Sequence, residues 1–320
     1  MLTRMTIKKI LVSTLALCAL FLIYLVPKEG NEIDYKQKLE YINDDIIKGT
    51  VFLIDSNDYL GKTDVIVTSS NTDIERRAKE LMGILITDGT GESQIPNGFK
   101  SILPCDTKIL STKFENGLLK INFSKELLEI DKELEEKMIE AIVYTLTAIP
   151  TVEKIIIYVE GDILSRLPKS QVTLPSVLDR SFGINKDYDI SSSKDINQVT
   201  VYYISKYNDN YYYVPVTKYV NDSRNKISII VDELTSTPIY SSNLMSFLNS
   251  NVKLLSVNEG SESLELKFNH YIFDNIDEKN ILEEVLYTIT LSIEDNYNVK
   301  EVILTVDQDE SYKNVIKTIE

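Results

Sequence analysis

Tryptophan is absent from the 320 residues, histidine occurs once, cysteine twice and glycine only 11 times. One His and two Cys cannot build an all-protein zinc site from the usual His and Cys ligands. Basic residues are also in deficit, with 34 Lys+Arg against 49 Asp+Glu, and the resulting net charge of -15 gives no electrostatic reason to bind nucleic acid or an anionic lipid surface. What is present is an ordinary folded composition, 43% hydrophobic and 26% charged, of a length that suggests about two domains.

The few basic residues are unevenly placed. Residues 1–28 carry Arg4, Lys8, Lys9 and Lys28 and no acid, and between them lies an uncharged run of 17 residues, Ile10 to Val26. At 1.5 Å per residue this run is at the short end of what crosses a bilayer. Three fates compete for it. A cleaved signal wants small residues where Tyr24, Leu25, Val26 and Pro27 stand. A lipoprotein signal would use Cys18, but Leu17 precedes it and eight apolar residues come after it. The expectation is therefore a retained transmembrane helix at 10–26, without lipidation of Cys18, with the N-terminus cytoplasmic and the acidic remainder outside the cell membrane. Cys105 is then alone in the exported part, where no intramolecular disulfide can form.

Past a polar stalk at 29–48, the pattern reads as one unit said twice. Strands at Val51 to Ile54 and Val65 to Thr68 precede a helix announced by Thr72 and Glu75 as a capping box, with Ile74, Ala78, Leu81 and Leu85 on one face. The turn Asn116-Gly117 between two apolar strands signals a hairpin. A second helix from about Leu134 to Ile149, stopped by Pro150, and a β-branched strand ending at Gly161 complete the order ββαββαβ. The second copy repeats it: Lys253-Leu254-Leu255-Ser256 answers Lys108-Ile109-Leu110-Ser111, and Leu286-Tyr287-Thr288 answers Val143-Tyr144-Thr145, at an offset of 143 to 147. Such colinear agreement is the mark of duplication. The expected division is 1–28 for the tail and anchor, 29–48 for the stalk, 49–166 and 198–320 for the two repeats, and 167–197 for a linker rich in Pro and Ser. Helices able to cover only one face of an antiparallel sheet make the class α+β, two tandem two-layer α/β sandwiches with the other sheet face open to partners.

No catalytic, cofactor-binding or metal residue emerges. Gly61-Lys62-Thr63 comes after a strand as a phosphate loop would, but Ser56 holds the place of the first glycine and another strand succeeds it, so it reads as a hairpin turn. Gly89-Thr90-Gly91 lacks a third glycine and comes after a helix. His270 has no nucleophile motif near it. The pairs Glu135-Glu136 and Glu283-Glu284 fall on polar helix sides, where acids are normally just solvated. The oddity is tyrosine, 19 in all. Tyr202, Tyr203, Tyr211, Tyr212 and Tyr213 crowd the first hairpin of the second copy and are the candidate protein-interface residues, because Tyr joins apolar area to a hydroxyl. Plain strand propensity is the competing account.

The segments Lys108 to Ser111, Asn116 to Ser124 and Ala141 to Ile155 resemble the GerM domain, and Tyr211-Tyr212-Tyr213-Val214-Pro215-Val216-Thr217-Lys218 with the Tyr287-Thr288 helix resembles it again. Leu174-Pro175 and Arg180-Ser181-Phe182-Gly183-Ile184-Asn185 are similar to the segment after the first domain in such proteins. The resemblance implies a tandem GerM-domain protein of endospore-forming bacteria, needed for sporulation and germination. It also implies domains similar to ring-building motifs, placed between mother cell and forespore and associated with membrane proteins of the channel that links them, or with further copies of the chain. Family members are often lipoproteins, and Leu17 before Cys18 departs from that. The family pattern includes no catalytic residues. An envelope module that binds cell wall or a small ligand is the alternative function.

Overall fold

The computed structural model describes residue 14 and residues 47–236, 243–297, 299–307 and 309–317. The expected membrane helix at 10–26 with Cys18, and the stalk, lie outside the described residues apart from Thr14 and residues 47–48. Among the described residues no helix is long and apolar enough to cross a membrane.

Strands β1 (Lys48–Asp55) and β2 (Leu60–Ile66) form an antiparallel hairpin. Its turn is made by Asp55, whose Oδ1 accepts the N–H groups of Asn57 at 2.8 Å and Tyr59 at 2.9 Å. Gly61-Lys62-Thr63 is therefore strand, not the turn expected from sequence, because Asp55 closes the chain before it. Helix α1 (Ile74–Leu85) is capped by Asp73, whose carboxylate accepts the Arg76 N–H at 3.2 Å. The Thr72 capping box does not form. Glu75 instead reaches across to accept the Phe114 N–H at 3.0 Å. After the short β3 (Phe99–Lys100) come β4 (Ile109–Glu115) and β5 (Leu118–Phe123), joined by Asn116 and Gly117 at φ 49° and 78°, the left-handed pair this turn demands. Helix α2 (Glu135–Leu146) then carries the chain over to β6 (Lys154–Val159), parallel to β5, and β7 (Asp162–Ile163) comes next.

Beyond β8 (Asp187–Asp189) the order recurs as β9 (Ile196–Tyr207), β10 (Asn210–Asn221), α3 (Lys226–Thr235), β11 (Leu254–Glu259), β12 (Ser263–Phe268), α4 (Glu283–Asn296), β13 (Glu301–Val306) and β14 (Asp309–Lys317). The copies agree down to an irregularity. Both β4 and β11 slip register at equivalent places, between Ile109 and Ser111 and between Leu254 and Ser256, and the extra residues Leu110 and Leu255 are both exposed.

Each copy divides its strands between two sheets. Strands β4-β5-β6-β7 and β11-β12-β13-β14 make two four-stranded sheets, while the first hairpins merge into a six-stranded sheet, β3-β1-β2-β10-β8 with β9 beside β10. Strands β5, β6, β12 and β13 alternate strictly between buried and more accessible residues. One face of each four-stranded sheet thus lies on a core and the other is left uncovered, as an α+β layered fold requires. The merged sheet differs: Val51, Phe52, Leu53 and Ile54 are consecutive and all buried, so both faces are covered.

Residues 46–320 gather into one compact unit. Two apolar cores lie within it, and the segment 167–197, a linker by composition, is not a free tether. Leu167, Leu174, Leu178 and Ile184 are buried in the first core. Pro and Ser mark it as irregular, which is a statement about backbone regularity and not about packing.

Candidate interface between and beyond the repeats

The two hairpins meet where Tyr213 of β10 pairs with Lys62 of β2, the single residue pair between those strands. A ladder this short needs support, and the connector supplies it. Asn185, at φ 46°, accepts the Leu60 N–H at 2.9 Å and donates to the carbonyls of Leu60 at 2.9 Å and Pro215 at 2.8 Å. One side-chain amide so stands in for the missing ladder between β2 and β10. Its own N–H donates to Glu140 Oε2 on α2 at 2.9 Å. Lys186 donates to Glu136 at 2.6 Å and lies 3.6 Å from Glu140.

Arg180 forms the other half of the join. Its guanidinium lies over the Tyr144 ring, 5.0 Å from the centroid, donates to Thr147 Oγ1 at 3.1 Å, and pairs with the nearly buried Asp295 of α4. The Thr200 and Thr217 hydroxyls, 3.0 Å apart, sit beside the Tyr144 hydroxyl, and the Ile184 N–H donates to Thr217 at 2.9 Å. Burial decides the titration here. Glu140, 4% exposed, is raised to about 7 by burial, against the pull of Lys186 and the Asn185 N–H. Burial likewise raises Glu294 to about 7, with Lys62 and Arg180 opposing.

The five tyrosines singled out by sequence do not form one outer surface. Tyr202 and Tyr203 are buried, the latter donating to Glu233 at 3.1 Å. Tyr212 is buried too, its hydroxyl donating to Asp55 Oδ2 at 2.7 Å and its ring edge-on to Phe99, so it joins the two repeats. Burial pushes Tyr202 and Tyr212 up to about 12. These three are spent on packing within the chain, which corrects their assignment to an external interface. Tyr213 is half-buried against Tyr287, and Tyr211 is exposed beside Phe247. Only these two face outward. Strand alternation told which tyrosines share a face but not that another repeat would lie on it.

Among the other candidates, His270 is exposed, its ring tilted at 34° against that of Tyr271. Glu135 is not simply solvated: it is fully buried, and despite burial its carboxyl is held below the usual range by hydrogen bonds from Ser170 and Lys169. No cluster of three or more metal-binding side chains occurs among the described residues. A polar groove of about 310 Å³ between β10 and α3 is ringed by Asp189, Asp222, Asp232 and Glu233. Arg224 spans it, bonded to Asp222 at 2.7 Å and Asp232 at 2.6 Å. Sequence reasoning missed Asn185, Arg180, Lys186 and Glu140 as the joining residues, although the first three lie in or beside the Arg180-to-Asn185 stretch it had set apart.

These features describe a tandem α+β protein whose repeats are fastened together by a buried polar seam. A family model described as "Germane: Sporulation and spore germination" matches residues 50–165 and 200–311, one match per repeat. The chain is 31% identical over 264 residues to the spore germination protein GerM of Bacillus subtilis (strain 168), a match spanning 80% of this chain and 70% of that protein. The solved tandem GerMN domains of the sporulation protein GerM from Bacillus subtilis are 28% identical, with a TM-score of 0.76 over 85% of this chain and 97% of theirs. The chain belongs to the Germane family of sporulation and spore germination proteins.

Proposed function

We propose that this chain is a membrane-anchored sporulation protein without catalytic activity, whose two repeats support assembly or stability of the complex joining mother cell and forespore. The observation that carries this reading is the seam. Arg180 pairs with Asp295, Glu140 accepts the Asn185 N–H, and the Asn185 side chain bonds the backbone of Leu60 and Pro215, so these polar groups are spent on holding the repeats as one body. The uncovered faces of the four-stranded sheets remain for partners. The apolar run at 10–26 supplies the anchor, with the repeats extracytoplasmic, on the mother-cell membrane and facing the forespore.

Deletion of the gene in the native host is expected to block maturation of engulfed forespores. The purified chain is expected to retain membrane proteins of the forespore in a pull-down, and not to be retained by peptidoglycan alone. A normal spore yield in the deletion strain, or retention by the wall alone, refutes the reading.

A further inference from the structure

The seam holds more carboxylates than its cations can answer. Lys186 lies 2.6 Å from Glu136 and 3.6 Å from Glu140, and its ammonium also sits over the Phe182 ring. One ammonium thus serves two acids, and it stands closer to Glu136, the more exposed of them. Arg180 is committed in the same way, to Asp295 of α4 and to Thr147 beyond α2. Glu294, next to Asp295, faces that same Arg180, Lys62 of β2 and the Tyr202 hydroxyl of β9, and Lys62 already lies 4.0 Å from Asp64.

An ionised carboxylate with only a share of a counter-charge is costly in such a place, and a neutral one is not. Around Glu140 the charged and titratable groups are Glu136 and Lys137 on its own helix, Lys186 from the connector and Tyr219 from β10. Lys137 donates to the Asp58 carbonyl. Burial prevails at both acids, raising each to about 7, so each holds its proton in mild acid and gives it up as pH passes neutrality. The join that leans on them is thin. Between β2 and β10 it has the single rung Tyr213–Lys62, with the Asn185 side chain in place of further rungs, and the Asn185 N–H is held by the Glu140 carboxyl.

We infer that the seam is a proton-operated latch: with Glu140 and Glu294 neutral the connector is shut against α2 and α4, and when both ionise its residues 180–186 lift, leaving β2 and β10 on one rung. A lifted connector lets water reach both carboxylates and returns them to the ordinary 4.5. The extra hold on the shut form is therefore present in full below pH 4.5 and is gone once pH has risen through 7. Between pH 6 and 8 the ratio of lifted to shut grows about tenfold for each carboxylate and about a hundredfold for both.

Hydrogen exchange of the purified full chain, read by mass spectrometry and divided by the intrinsic rate at each pH, tests the latch. The segment 180–186 carries the Ile184 and Asn185 N–H groups that donate to Thr217 and Glu140. Its protection is expected to fall about a hundredfold from pH 6 to pH 8 in the parent, about tenfold in Glu140→Gln, and not at all in Glu140→Gln/Glu294→Gln. Glutamine keeps a neutral carbonyl where the protonated acid stood, and the protection of β5 in the first core reports that both variants fold. Strand β5 exchanges through unfolding of the whole chain. The 180–186 segment is expected to exchange faster than β5 at every pH and to be insensitive to low urea, the mark of a small opening. Protection of 180–186 that does not change with pH in the parent overturns the proposal, as does a pH dependence that survives the double substitution. Exchange of 180–186 at the rate of β5 overturns it too, because the protons then act on the whole fold and not on the connector.

Discussion

Replacing Glu140 by glutamine should make the protein more stable above neutral pH and leave it unchanged in acid. Glu140 is 4% exposed and its carboxyl is raised by burial from the ordinary 4.5 to about 7. A folded-state value above the unfolded one means that the folded chain binds the extra proton between those limits. Stability is then full below about pH 4.5 and falls as pH rises through 7. Each tenfold change in proton affinity is worth about 1.4 kcal/mol, so ionisation withdraws about 3 kcal/mol from the folded state by pH 8. Glutamine stays neutral, and its carbonyl can still accept the Asn185 N–H that Glu140 accepts at 2.9 Å. Lys186 keeps Glu136 at 2.6 Å. Urea unfolding of the parent and Glu140→Gln at steps between pH 4.5 and 8 should show two curves that coincide in acid and separate to about 3 kcal/mol at pH 8, with glutamine the more stable. Parallel curves, or a parent more stable than the variant at pH 8, would refute the argument that desolvation outweighs the Lys186 attraction.

Asn185→Ala removes an acceptor and both donors at the β2–β10 join, and urea unfolding should register a loss of about 3 kcal/mol; a loss under half of that would mean water replaces the amide. Gly98 has φ 92° with the Tyr207 ring directly over it, so Gly98→Ala should cost about 2 kcal/mol in a thermal melt. An unchanged melting temperature would show that the Tyr207 ring is free to move aside.

The order of elements was legible because apolar periodicity reports local structure directly. The Asn116-Gly117 turn, the helix stripe from Ile74 to Leu85 and the matched strands of the two copies needed no tertiary knowledge. The match of Leu286-Tyr287-Thr288 to Val143-Tyr144-Thr145 was a turn out, since Ser292 and not Thr288 takes the place of Thr145 in accepting a strand N–H. The partition of strands into three sheets was not legible, since alternation says which side of a strand is buried and not what buries it. The same limit hid the fate of Tyr202, Tyr203 and Tyr212. Glu135 and Glu140 look solvated on a helical wheel because their partners, the N–H groups of Lys169, Ser170 and Asn185, lie 34 to 45 residues away in the chain. Asn185 itself carries no sequence mark of its three bonds, for any Asn in a loop looks the same until two strand edges come to rest on either side of it.

Because the hairpins of both repeats run into one sheet, the two uncovered sheet faces are held at a constant separation and tilt. A partner array that engaged one face would meet the other at a local concentration on the order of millimolar, as short tethers give. Two contacts too weak to last singly would then hold together, provided the sites on the array had matching spacing. In the proposed role the molecule would act as a gauge of distance, gripping an assembly of the right pitch and slipping from one that is misbuilt.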